Sequence, residues 1–434
     1  MTPTVMGLLG LAGLFVFLAL RMPVGIAMMF VGVLGFAAAK GLGPAMAMLG
    51  SEPFVIASNY ELTVIPLFVL MGNLATVSGM SRDLYAAAYA WFGHWRGGLA
   101  SATIAACSGF AALSGSSVAS AVTMGRVALP EMRRYKYDPR LATGCIAAGG
   151  TLGILIPPST GFIVYAILTE ESIGRLFLAG VFPGLLLTAL FILSIYIQTR
   201  INPKLGPAGP AVRFSEKLKA TWQASSMIGI VVVTIGGIYG GLFTPTEAAG
   251  VGAFLALLLA LFRRKVNVSS MSSVLLQSVR TTAFVFLILV GAHIFNPFLA
   301  LTHIPSDLAE LLVRLELPRI SVLLILLASY IVLGTFLEGF AMLVLTLPVV
   351  HPIIVALEFD PIWFGVVMVI VLEMGLISPP VGINVFVVKS IAEDVPMSQI
   401  FVGILPFWLA MGVCLAILVV FPEIALFLPN KMIQ

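Results

Sequence analysis

Long apolar runs follow one another along the chain, separated by short segments that carry most of the charged residues. A helix that crosses a bilayer needs about 20 predominantly apolar residues, and ten runs come close to that length. Two further apolar regions, 97–129 and 318–350, are interrupted near their middle by small or polar residues. Each of these favours a re-entrant helical hairpin, which enters a membrane and returns to the same side. The ten runs predict full spans at 3–20, 24–39, 61–78, 142–170, 174–198, 225–243, 247–262, 275–300, 361–391 and 398–427.

Composition also indicates a membrane protein. Of its 434 residues, 60% are hydrophobic and 10% are charged, whereas a soluble domain carries about 25% charged residues. Hydrocarbon must therefore solvate much of the surface, which predicts an all-α polytopic membrane protein in a lipid bilayer. The three cysteines and four histidines show neither CxxC nor metal-ligand spacing, so neither a metal centre nor a cofactor is expected. The net charge of +4 is read as a topology signal rather than a sign of nucleic-acid binding.

The basic residues test this layout. With both hairpins re-entrant and both termini on the outer side of the membrane, 18 of the 23 Lys and Arg residues fall in cytoplasmic segments. This bias is the one that the positive-inside rule expects. The first run, 3–20, lacks a basic leading segment and a small-residue cleavage site, so it is interpreted as a retained span rather than a signal peptide.

The two halves of the chain resemble each other at a nearly constant offset. LFVLMG at Leu67–Gly72 matches FLILVG at Phe286–Gly291, and GILIPP at Gly153–Pro158 matches GLISPP at Gly375–Pro380. Each half holds five predicted crossings, so the halves have opposite orientations, and such inverted repeats are typical of secondary transporters. The predicted division is a first repeat at 1–199, a cytoplasmic linker at 200–223 and a second repeat at 224–434.

Chemistry is expected where helices break, because irregular backbone at bilayer depth survives only if it lines a site or a wet cavity. The first hairpin tip, Ser114–Ser120, holds a glycine and four serines, among them Ser116. The broken helix 142–170 contains Gly153–Ser159, whose tandem prolines free carbonyls of the preceding turn. Carbonyls and hydroxyls together are ligands for a hard cation such as Na⁺. Close helix packing is the other explanation for such small residues.

The second half offers a counterpart at its hairpin tip, Gly334-Thr335, and at Gly375–Pro380 in the broken helix 361–391. Two symmetry-related cation sites are therefore predicted. New half-helices are expected to begin near Ser116, Pro158, Glu338 and Pro380, and their positive N-terminal ends suit an anionic solute.

Two acids lie inside predicted spans near the second break, Glu338 and Glu373. A buried acid is costly in a membrane, so they either bind Na⁺, carry protons, or are paired within the bundle. The candidate solute-binding residues are Ser159, Glu338 and Asn384, with a weaker claim for Asn73. Glu247 is interpreted as structural, because Thr244–Glu247 has the pattern of a capping box.

The chain resembles, over its whole length, the large membrane subunit of tripartite ATP-independent periplasmic (TRAP) transporters. The segments that carry the resemblance are Arg21–Gly25, Ile65–Phe68, Ser114–Ser120, Gly153–Ser159, Pro245–Ala249 and Gly375–Asn384. The resemblance implies an elevator-type fold of the ion-transporter superfamily in a bacterial inner membrane, with Na⁺ as the coupling ion. It also implies a small four-helix membrane subunit, a periplasmic binding protein, and an organic acid such as a C4-dicarboxylate or sialic acid. The implied sodium ligands are Ser117, Ser120, Gly153, Ile156 and Pro158 in the first half, and Thr335, Gly375, Ser378 and Pro380 in the second.

Other functions remain open from the residues alone. A stand-alone Na⁺- or H⁺-coupled anion symporter would share the same repeats, and a channel would share the apolar runs. An enzyme is disfavoured, because the chain shows no nucleophile–base pattern, phosphate-binding loop or metal motif.

Overall fold

The computed structural model describes residues 2–314 and 317–432, and within them it contains helices and loops but no strand. Two short 3₁₀ helices, Tyr60–Thr63 and Pro429–Lys431, accompany the α-helices. The first ten α-helices are α1 (Pro3–Ala19), α2 (Val24–Lys40), α3 (Leu42–Ser58), α4 (Val64–Val77), α5 (Met80–Phe92), α6 (Gly98–Ser114), α7 (Ser117–Arg134), α8 (Pro139–Leu155), α9 (Thr160–Thr169) and α10 (Ile173–Ile201). The next ten are α11 (Phe214–Tyr239), α12 (Pro245–Phe262), α13 (Val268–Leu301), α14 (Ile304–Arg314), α15 (Arg319–Gly334), α16 (Gly339–Ala356), α17 (Pro361–Leu376), α18 (Ile383–Ile391), α19 (Met397–Val420) and α20 (Glu423–Leu426).

Local sequence accounts for several helix starts. An aspartate followed by a proline begins both α8 and α17, at Asp138 and Asp360. Each aspartate side chain accepts a hydrogen bond at 2.8 Å from the backbone N–H of the second residue of its helix. At α12 the predicted capping box is confirmed. The Glu247 N–H donates to Thr244 Oγ1 at 3.3 Å, and the Thr244 N–H donates to Glu247 Oε2 at 2.8 Å.

The order of elements repeats along the chain. Helices α6 to α10 begin at residues 98, 117, 139, 160 and 173, and α15 to α19 begin at 319, 339, 361, 383 and 397, which is 221 to 224 residues later. Each set is a helical hairpin, then a helix pair separated by a short break, then a long helix. The predicted all-α polytopic fold, with a hairpin and a broken helix in each repeat, is therefore confirmed.

Seven helical segments among the described residues are long and apolar enough to cross a bilayer, or eight if α8 and α9, bent by 41°, form one span. One of the seven, Tyr60–Val77, combines the first 3₁₀ helix with α4. Helices α1, α2 and α17, on which three of the ten predicted spans fall, are apolar but have only 16 or 17 residues. The second limb of the second hairpin, α16, is itself long enough to span. Re-entry of the hairpins and the side of each terminus remain predictions.

The broken helices lie at the centre of the molecule. Every residue of α17 from Ile362 to Leu376 is buried, and α8 is buried without interruption from Leu141 to Gly153. Helix α8 packs on α6, α7 and α19, whereas α2 packs along α13 and α4 packs on α12 and α13. We call α2, α4, α12 and α13 the outer group, and the hairpins with the broken helices the inner group.

Three helices and the length of the linker differ from the sequence predictions. Helices α3, α5 and α14 fall outside the predicted spans. Helices α5 and α14 are short and carry charged residues, whereas α3 is as long as α1 and α2 but contains Glu52 and Pro53. The non-helical connection between the halves covers only residues 202–213, since α10 continues to Ile201 and α11 begins at Phe214. This connection is fixed to the inner group, where the Gly97 N–H donates to the Gly206 carbonyl at 2.9 Å.

Candidate functional site

The first hairpin turns over two residues, Gly115 and Ser116, which we call the first tip. Gly115 has a φ of +57°, a left-handed conformation that glycine adopts without steric cost. Ser116 is extended, and its Oγ accepts a hydrogen bond from the Ala119 N–H at 3.3 Å, which caps α7. The positive end of the α7 dipole therefore lies at the first tip.

The first break, residues 156–159, lies directly against the first tip. Thr160 Oγ1 donates a hydrogen bond to the Gly115 carbonyl at 2.7 Å. A Cβ added at Gly153 would come within 2.4 Å of the Ser116 carbonyl oxygen, so only glycine permits this approach. The tip and the break of the first half thus form one unit, as the sequence predicts for a shared site.

Individual residues of the first break serve the local structure. Ser159 begins α9, where its Oγ accepts from the Phe162 N–H at 3.3 Å and donates to the Ile154 carbonyl. The Ile156 side chain packs against α10, and Pro158 is buried. The Ser159 hydroxyl is therefore engaged by backbone groups, although the sequence predicts it as a solute ligand.

An oxygen-rich cluster forms where the first tip meets the first break. Ser114 Oγ and Ser120 Oγ are 2.7 Å apart, and Ser120 is fully buried. A Cβ added at Gly153 would lie 2.7 Å from Ser120 Oγ, and one at Gly115 would lie 3.0 Å from the Pro158 carbonyl oxygen. Hydroxyl and carbonyl oxygens gathered at a helix break are the ligand type that coordinates Na⁺ in transporters.

The second half repeats the contact between tip and break with different chemistry. The second tip covers residues 335–338 and the second break covers residues 377–382. Gly334 and Gly375 touch through their backbones, because a Cβ added at Gly375 would lie 2.7 Å from the Gly334 Cα. In place of a serine cluster, this contact is made between two glycines.

The polar groups of the second half are tied to helix ends. Thr335 Oγ1 donates to a carbonyl of its own helix at 2.8 Å, and Glu338 Oε2 accepts from the Ala341 N–H at 3.2 Å as the N-cap of α16. Ser378 Oγ donates to the Met374 carbonyl at 2.6 Å and accepts from Trp408 Nε1 at 2.9 Å. The contribution of α19 through this tryptophan is absent from the sequence predictions.

The two breaks differ in exposure. Pro158 is buried, whereas Pro380 is exposed, although both Pro-Pro peptide bonds are cis. Helix α18 begins at Ile383, later than the start expected near Pro380, because Gly382 adopts a left-handed φ of +62° just before it. The second break is thus longer and more open than the first.

A buried hydrogen-bonded chain joins the first tip to the second half. Asn384 Nδ2 donates to Ser117 Oγ at 2.5 Å, and Ser117 Oγ donates to Glu373 Oε2 at 2.8 Å. Glu373 is 1% exposed, and Asn384 is completely buried. Within the described residues, Glu373 Oε1 and Asn384 Oδ1 have no hydrogen-bond partner. The Ser117 hydroxyl therefore points across to the second half, while Ser114 and Ser120 bond to each other.

A cavity of about 450 Å³ opens between the first hairpin and the outer group, a volume typical of small-molecule sites. Its walls come from α7, from α4, from α13 and from the second hairpin through Phe340. The polar residues that line it are Asn73, Thr76, Ser114, Ser116, Thr123, Arg126, Thr160, Gln277 and Thr281. Among the cavities formed by the described residues, this one is lined by Ser116 of the first tip.

The cavity changes the set of candidate solute-binding residues. Ser116 and Asn73 line it, whereas Ser159, Glu338 and Asn384 do not. Arg126 lines it but is counted only as a topology marker in the sequence. The sequence does contain a signal that Arg126 faces the same way as Ser116. Positions 116, 119, 123 and 126 recur every three or four residues, which places them on one face of α7.

Comparison with known proteins agrees with this architecture. The family model described as "Tripartite ATP-independent periplasmic transporter, DctM component" matches residues 11–424. The C4-dicarboxylate TRAP transporter large permease protein DctM of Pseudomonas aeruginosa is 40% identical over 88% of this chain and 89% of its own length. The sialic acid TRAP transporter large permease protein SiaM of Vibrio cholerae is 33% identical over 94% of this chain and 95% of its own length.

A solved structure shares the fold at low sequence identity. The YdaH transporter of Alcanivorax borkumensis superposes with a TM-score of 0.62 and 15% identity, over 89% of this chain and 90% of its own. At that identity the likeness concerns the fold alone. It places the hairpins and broken helices within an architecture already observed in a membrane transporter.

Proposed function

Because the chain belongs to the DctM family, the large permease component of tripartite ATP-independent periplasmic transporters, we propose that it carries an organic acid into the cell by coupling uptake to the Na⁺ gradient. The relatives are transport permeases, and the names of two of them specify C4-dicarboxylate and sialic acid. Both are carboxylates, so the proposed solute of this chain is a small carboxylate as well.

The observation that carries the proposal is that, in each half of the chain, residues at or next to the hairpin tip contact residues at or next to the helix break. In the first half, Thr160 bonds the Gly115 carbonyl at 2.7 Å. In the second half, Gly334 and Gly375 meet through their backbones. A cation bound between the two partners would hold each tip on its break, which is how an ion can favour one conformation over another.

The first proposed Na⁺ site uses the oxygen-rich cluster. Its candidate ligands are the hydroxyls of Ser114 and Ser120 and the carbonyls near Gly153, at the first tip and the first break. The second proposed site uses the carbonyls around Gly375, with Thr335 and Ser378 as the nearby hydroxyls. No other cofactor is proposed.

The proposed solute site is the cavity of about 450 Å³ between α7 and the outer group. One wall belongs to the inner group and the opposite wall to α4 and α13. Sliding of the inner group past the outer group would carry the solute across the membrane, which is the elevator mechanism. Because Ser114 belongs to both the first proposed cation site and the cavity wall, ion binding and solute binding would stabilise the same arrangement.

The proposed assembly has three components. A small membrane subunit would enlarge the outer group, and a periplasmic binding protein would deliver the solute to this multi-pass membrane protein in the bacterial inner membrane. The family's tripartite description supports both partners.

Uptake into proteoliposomes tests the proposal. The chain would be co-purified with its small membrane subunit, reconstituted, and supplied with the periplasmic protein loaded with a labelled organic acid, with an inward Na⁺ gradient imposed or omitted. Accumulation that needs both Na⁺ and the binding protein is the expected result. Accumulation without the binding protein would instead indicate a stand-alone symporter, and Na⁺-independent equilibration would indicate a channel.

A further inference from the structure

The cavity beside the first tip has an uneven distribution of charge. Among the described residues that line it, Arg126 alone is charged, and the other polar residues are neutral amides and hydroxyls. Arg126 is exposed, and within the described part of the chain no carboxylate lies within ion-pair distance of it. Its positive charge is therefore available to a ligand of the cavity.

Arg126 stands at the opposite end of the cavity wall from the first tip. Ser116, the N-cap of α7, and Arg126 are ten residues apart, which corresponds to about 15 Å along the helix axis. Side chains on a helix lean toward its N-terminus, and the N-terminus of α7 is at the first tip. The Cα–Cβ bond of Arg126 is therefore tilted toward the first tip.

The end of the cavity at the first tip also suits an anionic group. The Ser116 Oγ accepts the Ala119 N–H at 3.3 Å, which leaves its own proton free to donate. The positive end of α7 is at the same place. The cavity therefore has a donor-rich end at the tip and a cationic end at Arg126, separated by a wall that includes Val118 and Val122.

We propose that Arg126 binds a carboxylate at the end of the solute remote from the first tip, which makes the cavity selective for organic acids with an anionic group at each end. A guanidinium forms paired, charge-assisted hydrogen bonds with a carboxylate that a neutral amide does not reproduce. The inference rests on the proposed function only in taking this cavity as the place of the solute.

Pairs of ligands that differ in one charge test the assignment. Succinate and its monoamide succinamate have nearly the same shape, as do glutarate and glutaramate, and their affinities would be measured by calorimetry on the full-length permease at a fixed Na⁺ concentration. A charge-assisted hydrogen bond corresponds to a change of about 10- to 100-fold in affinity. We expect the wild type to bind the preferred diacid tighter than its monoamide by such a factor, and Arg126→Gln to bind the two equally.

Two variants control the interpretation. Arg126→Lys keeps the charge and should retain most of the preference for the diacid. Arg134→Gln removes an exposed arginine near the end of the same helix, outside the cavity, and should match the wild type. Because Arg126 is exposed, raising the ionic strength should also reduce the preference.

An unchanged preference for the diacid in Arg126→Gln would overturn the inference, and so would a wild type that shows no preference within any pair. Binding is measured without an ion gradient, so it is separate from coupling. If Arg126→Gln loses the preference for the diacid but uptake by the wild type proves independent of Na⁺, the role of Arg126 stands and the proposed Na⁺ symport is wrong.

Discussion

Substitution of Gly375 by alanine should separate the second tip from the second break. The added Cβ would lie 2.7 Å from the Gly334 Cα and 2.9 Å from its carbonyl carbon. Both are backbone atoms, so no side-chain rotation relieves the contact. The end of α15, and the second tip that follows it, must move away from α17.

The size of the effect follows from the cost of overpacking. Forcing an extra methyl group into a well-packed contact typically costs about 1–3 kcal/mol. If Na⁺ binds only when the second tip lies on the second break, this free energy is subtracted from Na⁺ binding. The Na⁺ concentration that gives half-maximal uptake should then rise by about 5- to 150-fold.

Gly339 provides the matched control on the same hairpin. A Cβ added there would meet only Leu376 Cδ1 at 3.7 Å, which is an ordinary van der Waals contact. Uptake would be measured against Na⁺ concentration for both variants at equal amounts of folded protein, checked by thermal stability. Gly339→Ala should keep the wild-type curve. Coincident Na⁺ curves for Gly375→Ala and Gly339→Ala would refute a Na⁺ site that depends on contact between tip and break.

Three further substitutions test the other contacts of the site. Ser117→Ala should lower thermal stability, because it leaves the buried carboxyl group of Glu373 and the buried amide of Asn384 without their shared partner at a cost of about 1–3 kcal/mol; an unchanged melting temperature would contradict this. Thr160→Val removes the donor to the Gly115 carbonyl and should weaken Na⁺ activation by roughly 3- to 20-fold, whereas an unaltered activation curve would count against the first site. Trp408→Phe keeps an aromatic side chain, though a smaller one, and removes the donor to Ser378, so it should weaken Na⁺ activation by a similar factor. Equal Na⁺ activation in variant and wild type would exclude a role for α19.

The apolar pattern was sufficient to predict the elements of the site. The interruptions at Ser114–Ser120 and at Gly153–Ser159 correspond to a real tip and a real break, and the repeat offset of about 220 residues recurs in the helix starts. Small residues and tandem prolines act locally on the backbone, so a single sequence contains most of the information needed to locate them.

The pattern did not reveal which groups face each other. Ser117 lies among serines that the sequence treats alike, yet its hydroxyl contacts Glu373, 256 residues away, while Ser114 and Ser120 pair with each other. The orientation of each hydroxyl depends on how α7 packs against the second half, and spacing along one segment contains no information about that packing.

Other omissions have a similar physical cause. Helices α5 and α14 are shorter than a bilayer is thick, and α3 is interrupted by Glu52 and Pro53, so a search for long apolar runs passes over them. Arg126 is hydrophilic and close to other basic residues, so its position along the chain indicates membrane side, and only the folded cavity shows that it shares a wall with the first tip.

The most direct test of Na⁺ coupling is the solute gradient at which net flux stops in proteoliposomes that contain the permease and its small subunit. Net flux of the labelled acid would be measured while the external solute concentration is varied, at several fixed Na⁺ gradients. The solute gradient at which net flux is zero is predicted to shift with the Na⁺ gradient, so that an inward Na⁺ gradient balances a higher internal solute concentration. A net flux that is zero at equal internal and external solute concentrations, whatever the Na⁺ gradient, would contradict Na⁺-coupled transport.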